Sequence, residues 1–232
     1  MRSVTVTNRL LDRLPPARRA RMLSACDNVE LVAGDSLAEA GEDISSVYFP
    51  TGSSISLLVP MDLVSLPEVA LAGSEGFVGL SVALGMTSST THARVQCDGA
   101  AWRMASGTFR NELADGRALR DCVDRYILVS MAQLARHGAC GRFHAVLQRV
   151  ARRLLMSADR AHSATFHITH ESLAIGLGVR RVSVTGAARL LSKRGLIKYS
   201  RGQVTVIDRA GLALAACSCY REDNRDYRRY LG

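Results

Sequence analysis

The stretch Leu173–Leu191, LAIGLGVRRVSVTGAARLL, places an apolar helical pattern on either side of Gly178. Thr169 stands where an N-cap belongs, just before a helix that starts at His170, and Leu173, Ala174 and Leu177 fall on its inner side. Gly178 lets the backbone turn, and a second helix follows whose inner side holds Val179, Val184, Ala187, Leu190 and Leu191. The opposite face of that second helix offers Arg180, Arg181, Ser183, Thr185 and Arg189. An arginine near a helix start can donate two hydrogen bonds to a guanine edge, while serine and threonine reach phosphates or bases, and the helix N-terminus itself attracts phosphate. The chemistry on offer is contact with duplex DNA. A small residue at the crossing, Ala174, and a glycine in the turn predict a helix-turn-helix. Beyond Gly195, which can cap the second helix, LIKYSRGQVTVID gives alternating runs at Leu196–Tyr199 and Gln203–Ile207 around a Ser200-Arg201-Gly202 turn. This hairpin makes the motif winged, with Lys198 and Arg201 placed to touch a phosphate backbone; Thr169 and His170 join the candidate DNA contacts at the start of the first helix.

Other reactive side chains point less clearly. Six cysteines, at 26, 97, 122, 140, 217 and 219, include no Cys-x-x-Cys pair and are expected to be buried, reduced thiols. Cys217 and Cys219 are the only clustered pair, and no partner ligands are evident near them in sequence, so no metal is assigned. His137 and His144, seven apart in a helical region, could serve a haem or a metal but are read as surface or core histidines. There is no Gly-x-Ser-x-Gly elbow, no His-Glu-x-x-His and no Gly-x-x-x-x-Gly-Lys, so no catalytic residues are assigned and an enzyme is not expected. The glycine-rich GSEGFVG lies among strands rather than opening a helix, so its glycines are read as turn residues.

These groups need a scaffold, and the pattern predicts one of α+β class. Residues 8–25 look helical around Pro15-Pro16, with Leu10, Leu11, Leu14, Met22 and Leu23 as the apolar face. From Val29 to Met104 short alternating runs are separated by Gly, Asp, Ser and Pro, the signature of strands closing into a β-roll. A long helix from about Phe109 to His137 carries Leu113, Leu119, Val123, Tyr126, Ile127, Met131 and Leu134 on one side, and is expected to break at Gly138 and Gly141. Leu119, Val123, Tyr126, Ile127, Met131 and Leu134 are the candidate dimerisation residues, the alternative being a helix that lies on its own roll. Val146 to Leu155 then opens a helical domain. The expected division is a roll with its N-terminal helix at 1–108, a dimerisation helix at 109–139 and a winged helix-turn-helix domain with a C-terminal tail at 140–232. Charge follows it. Residues 1–140 hold thirteen Lys and Arg against fifteen Asp and Glu, and residues 141–232 seventeen against six. Such a field concentrates polyanions, and without an amphipathic Lys-rich helix bearing aromatics, nucleic acid is favoured over a membrane surface. Met1 to Pro16 has Arg2, Arg9 and Asp12 where a leader needs an apolar core, and a cytoplasmic protein is expected.

A roll, a long central helix and a C-terminal winged helix, in that order, resemble the Crp/Fnr superfamily of bacterial transcription regulators. The likeness is carried by ITHESLAIGLGVRRVSVTGAARLLSKRGLI, by ACGRFHAVLQRVARRLL before it, and by VYFPTGSSISLL and GSEGFVGLSVALG in the roll. It implies a homodimer on a two-fold symmetric site of double-stranded DNA, one recognition helix in each major groove, with Arg181 at the family's base-reading arginine and RNA polymerase as a further candidate partner. The cyclic-nucleotide-like roll makes Gly79, Leu80, Ser81, Thr90 and Thr91 the effector-pocket candidates. Members that bind cyclic AMP carry a glutamate where Leu80 stands and an arginine in the region of Thr90 and Thr91. A cyclic phosphate buried without a positive partner is costly, and Arg94, the nearest alternative, lies in a strand pattern facing outward, so cyclic AMP is not expected and the effector stays unknown. A regulator of the same architecture gated by a cyclic nucleotide, by redox chemistry or by haem is the alternative. The oxygen-sensing branch holds an iron-sulfur cluster on an N-terminal cysteine group, whereas only Cys26 precedes the roll here. Val182 and Gly186 replace a cytosine-reading glutamate and a further arginine of the family, which implies a different target sequence.

Overall fold

The computed structural model describes residues 7–61 and 66–232, so Arg2, used above against a leader, lies outside the described residues. By its internal contacts the chain divides into one unit of residues 1–59, 71–128 and 231, and a second of residues 60–70, 129–230 and 232.

The first unit begins with two short helices, α1 (Arg9–Asp12) and α2 (Pro16–Ser24), where the sequence suggested one helical segment. Asn8 organises this start. Buried itself, it accepts from the backbone N–H of Leu10 and Leu11, and its amide donates to the carbonyls of Pro50 at 2.9 Å and Gly76 at 2.8 Å. Strands β1 (Asp27–Leu31), β2 (Ser36–Ala38), β3 (Ser46–Pro50), β4 (Ser54–Leu58) and β5 (Glu68–Ala72) precede a single helical turn, α3 (Leu80–Ala83). β6 (His92–Cys97), β7 (Gly99–Ala105) and α4 (Ser106–Ala114) follow. The strands form the expected roll as a three-stranded sheet in the order β1-β7-β3 and a four-stranded sheet in the order β2-β6-β4-β5. The alternation read from the sequence puts Leu31, Ile55, Ala93, Val95 and Ala101 inside. A second core is aromatic: Phe49, Phe77 and Phe109 meet with ring centroids 5.5 to 5.9 Å apart. Tyr126 adds its ring 5.4 Å from that of Phe77.

Two glycines of GSEGFVG, Gly76 and Gly79, belong to this packing. A Cβ on Gly76 would lie 2.0 Å from the Tyr126 ring, and Gly79, at φ +118°, would put one 2.6 Å from Val47. No helix of regular length starts there to cradle a phosphate.

The expected long helix is displaced along the chain. α4 ends at Ala114, Asp115 and Gly116 intervene, and α5 runs from Arg117 to Phe143. The break falls at Gly116, where a Cβ would sit 2.8 Å from the Arg18 guanidinium. Gly138 and Gly141, expected to end the helix, do not: both are exposed members of α5, where a glycine lowers helix propensity by about 1 kcal/mol but leaves every backbone hydrogen bond available.

The second unit takes in the last turns of α5 and then α6 (Val146–Ala161), β8 (Thr165–His167), α7 (His170–Leu177), α8 (Arg181–Lys193), β9 (Ile197–Ser200), β10 (Gln203–Val206), α9 (Arg209–Ala215) and α10 (Cys219–Tyr230). α6 is its spine, burying Val150, Ala151, Leu154, Leu155 and Ala158 against Leu173 and Leu177 of α7, Val184 and Leu191 of α8, and Val204 of a small antiparallel sheet in the order β8-β10-β9. Arg149, Arg152, Arg153 and Arg160 of the same helix are buried too. Arg152 binds Asp223 of α10 through two nitrogens, at 2.6 and 3.2 Å, and Arg149 donates to the carbonyl of Leu177, the last residue of α7.

Candidate nucleic-acid interface

The two helices of the expected motif form as the sequence indicates. The Thr169 hydroxyl accepts from the backbone N–H of Ser172 at 3.0 Å, and the Ser172 hydroxyl accepts from the Thr169 N–H at 3.1 Å, a reciprocal cap at the start of α7. Gly178 closes α7 at φ +61°, a left-handed conformation that suits glycine. α8 then starts with Arg180 as its N-cap, with no side chain among the described residues on its first amides, so the N–H groups of Arg181 and Val182 are free to meet an anion.

The outward face of α8 differs in detail from the expected one. Arg180, Arg181 and Arg189 are exposed, as expected, and Arg181 has only a loose 3.8 Å approach to the exposed carboxylate of Glu171. Val182 is 71% exposed, and no atom would come within 4 Å of a Cβ on Gly186. Leu190, expected in the core, is 39% exposed, and Ala188 is buried in its place. The presented stripe is therefore Arg181, Val182, Gly186, Arg189, Leu190 and Lys193. Lys193 was not among the candidates, although its spacing of four from Arg189 puts it on the same face.

Three candidates play a different part. Thr169 spends its hydroxyl on the cap. The Thr185 hydroxyl donates to the carbonyl of Arg181 at 3.0 Å and lies 3.1 Å from Nδ1 of His170, whose ring rests on Tyr199 of β9 with centroids 4.3 Å apart. Because that hydroxyl already donates to Arg181, His170 donates from Nδ1 in its neutral form, leaving Nε2 buried without a partner among the described residues. Burial, then the charge of Arg181, lowers the His170 pKa from its ordinary value. His170 thus ties the first turn of α7, the second turn of α8 and the wing together. Ser183 is half-buried.

The wing is tighter than expected. Ser200 pairs with Gln203, so the loop is the two residues Arg201 and Gly202, at φ +49° and +82°, the twist that suits a two-residue hairpin. A Cβ on Gly202 would meet Nε2 of the exposed His167 at 2.6 Å, so a larger residue there would have to displace that ring. Lys198 and Arg201 are exposed.

The roll candidates are dispersed. Gly79 is buried, Leu80 and Ser81 are half-buried on α3, Thr90 is exposed and Thr91 half-buried before β6. None of them lines the cavity of about 420 Å³ beside α3, which is walled by Val82, Ala83, Leu84 and Gly85 with Leu113, Arg110 and Arg120. Arg94 is exposed, as its strand position predicts. The expected dimerisation stripe divides in two. Leu119, Val123 and Tyr126 are already buried in the first unit, because a 27-residue helix packs its early turns on the roll. Ile127 is half-buried, and Leu128, Met131 and Leu134 are the exposed row, at 50%, 63% and 41%.

Residues 148–215 match the Crp-like helix-turn-helix domain. Among solved structures, a transcriptional regulator of the Crp/Fnr family from Eubacterium rectale is similar at 18% identity and a TM-score of 0.67, over 89% of this chain and 96% of its own. The c-di-GMP responsive global regulator CLP of Xanthomonas campestris is similar at 14% identity and a TM-score of 0.67, over 83% and 99%. A CRP-family transcriptional regulator from Thermus thermophilus is similar at 19% identity and a TM-score of 0.67, over 81% and 97%. Comparison with curated protein sequences gives no significant match. The second unit thus contains a winged helix-turn-helix domain of the DNA-binding kind. The chain carries it on the fold of the Crp/Fnr transcription regulators, and no helix among the described residues is long and apolar enough to cross a membrane.

Proposed function

We propose that the protein is a homodimeric, sequence-specific transcriptional regulator that binds a two-fold symmetric site on double-stranded DNA, α8 of each copy entering a major groove. The observation that carries this reading is the outward face of α8: an uncapped N-terminus, then Arg181, Val182, Gly186 and Arg189 presented together, with His170 holding the helix to the wing. In this reading Arg181 and Arg189 contact base edges, Arg180, Lys193, Lys198 and Arg201 hold phosphates, and Ser183 supports the approach. Thr169, His170 and Thr185 position. The exposed row Leu128, Met131 and Leu134 supports a second copy packing along α5.

The effector, in this reading, is not cyclic AMP. Leu80 and the Thr90-Thr91 pair supply neither the carboxylate nor the guanidinium that a ribose cyclic phosphate needs, and the exposed Arg94 does not replace them. The similar regulator from Xanthomonas campestris responds to c-di-GMP, so a nucleotide of another class belongs in any screen. RNA polymerase is a further candidate partner in this reading.

The deciding experiment selects duplexes from a random library with purified, ligand-free protein. An enriched palindrome with half-sites about one helical turn apart, near 34 Å, is the expected result. Enrichment of a single, non-repeated half-site would overturn the dimeric reading, and the absence of any enrichment with or without nucleotides would overturn sequence recognition.

A further inference from the structure

In the second unit, remote in sequence from the α8 face, four ligand-bearing side chains converge. Cys140 and His144 are one turn apart at the end of α5, where the His144 N–H still donates to the Cys140 carbonyl at 3.1 Å. Cys217 precedes α10 and Cys219 is its first residue. The three sulfurs and Nδ1 of His144 all lie within 4.8 Å of one another, with Cys140 and Cys217 3.6 Å apart and Cys219 and His144 3.6 Å apart. All three cysteines are buried and His144 is half-buried.

We propose that Cys140, His144, Cys217 and Cys219 form a Cys3His site for a single borderline-soft divalent cation of the zinc class. In a tetrahedron with metal–sulfur distances of about 2.3 Å and metal–nitrogen distances of about 2.0 Å, donors stand roughly 3.6–3.8 Å apart. Two of the six donor separations, 3.6 Å each, meet that value, and the other four are no longer than 4.8 Å. A disulfide requires sulfurs about 2 Å apart, well inside the Cys140 to Cys217 distance. A four-iron cluster seats each ligand on a different iron at its periphery, which spreads the donors more widely than they are here.

Electrostatics agrees with this donor set. Three thiolates and one divalent ion leave one net negative charge. The amide end of α10, of which Cys219 is the first residue, and the buried guanidinium of Arg152 both oppose that charge. Arg152 is in turn held by Asp223, which also binds Arg136 of α5. The metal and this ionic network thus fasten the same two elements, the end of α5 and the start of α10, from adjacent positions. Metal loading would stabilise that junction, because the ligands are assembled only in the folded chain.

The test uses the full-length chain, reduced, stripped with a chelator and titrated with Co2+ and then Zn2+. One equivalent of Co2+ per chain is expected, giving thiolate-to-cobalt charge-transfer absorption and the intense visible bands of a tetrahedral site, and Zn2+ should displace it. Cys217→Ser should weaken binding by more than the roughly 10–100-fold that loss of a supporting hydrogen bond costs. Cys26→Ser, outside the cluster, should leave it unchanged. The wild-type titration is read without any variant, so a misfolded Cys217→Ser would not spoil the result. A weak octahedral cobalt spectrum, binding below one equivalent, or equal effects of Cys217→Ser and Cys26→Ser would overturn the site and leave these side chains as ordinary buried thiols.

Discussion

At the scale of single residues, the side chains that look alike in sequence separate by what they already hold. Arg181 has no close partner among the described residues, so its donors are available to a base, whereas Thr185 and His170 are engaged with each other. Arg181→Ala is therefore expected to weaken binding to the selected site by about 1–3 kcal/mol and to relax preference at one base position in each half-site, read by competition among single-base variants of the duplex. His170 gives a different kind of prediction. Its folded-state pKa is lowered from the ordinary 6.5 by burial and then by Arg181, so the fold favours the neutral ring. That contribution to stability is complete above the ordinary value and is lost as pH falls through the lowered one, when the proton must enter on the buried, partnerless Nε2. The pKa of His137 is also lowered, first by burial, so wild type alone would not separate the two. Urea midpoints compared between about pH 7.5 and 5.5 should fall less in His170→Phe, which keeps a ring against Tyr199, than in wild type. Equal falls would remove His170 from this role.

At the scale of elements, whatever rests on local periodicity or turn chemistry was legible in the sequence. The α6 stripe, the α7 cap at Thr169, the Gly178 turn and the alternation of the roll strands form as read. The misjudged features depend on what lies across space. Gly138 and Gly141 look like helix breakers, but nothing nearby forces them out of α5, whereas the run breaks at Gly116, where Arg18 donates to the Glu112 carbonyl that the Gly116 N–H would bind in a continuous helix. Leu119, Val123 and Tyr126 share their spacing with Met131 and Leu134, and spacing alone cannot say which turns of a helix meet the roll. The Cys3His group was equally hidden, because its two halves are separated by more than seventy positions. The wing was legible, and it yields the contrast to Arg181. Lys198 is exposed on β9 beside a fixed two-residue turn and reaches phosphate rather than a base edge in the proposed complex. Lys198→Ala should weaken all duplexes alike and lower the slope of log K against log salt by about 1, measured by anisotropy titrations at several salt concentrations. A change in base preference would move Lys198 among the base contacts.

At the scale of the whole molecule, the basic excess of residues 141–232 is smaller at the surface than composition suggests. Four of its arginines, Arg149, Arg152, Arg153 and Arg160, are buried in α6, and Arg152 and Arg153 are paired with Asp223 and Glu68. These charges hold the second unit together and are not available to release counterions from DNA. Of the thirteen basic residues that remain, only seven lie on or at the ends of α8 and on the wing, Arg180, Arg181, Arg189, Lys193, Arg194, Lys198 and Arg201, and so short a set favours a molecule that gains affinity by bringing two of them to one duplex. The exposed α5 row is where that doubling is expected to originate. Met131, 63% exposed at the centre of the row, can be replaced by glutamate without disturbing either core of a single chain. In Met131→Glu the paired carboxylates would face each other across an apolar seam, and the protein should sediment as a monomer. Its affinity for the palindrome should fall to that for an isolated half-site, and its salt slope should drop to about half the wild-type value, since one set of phosphate contacts is lost with the second copy. A dimeric Met131→Glu with unchanged salt slope would mean that the copies meet elsewhere and that this apolar row serves another contact.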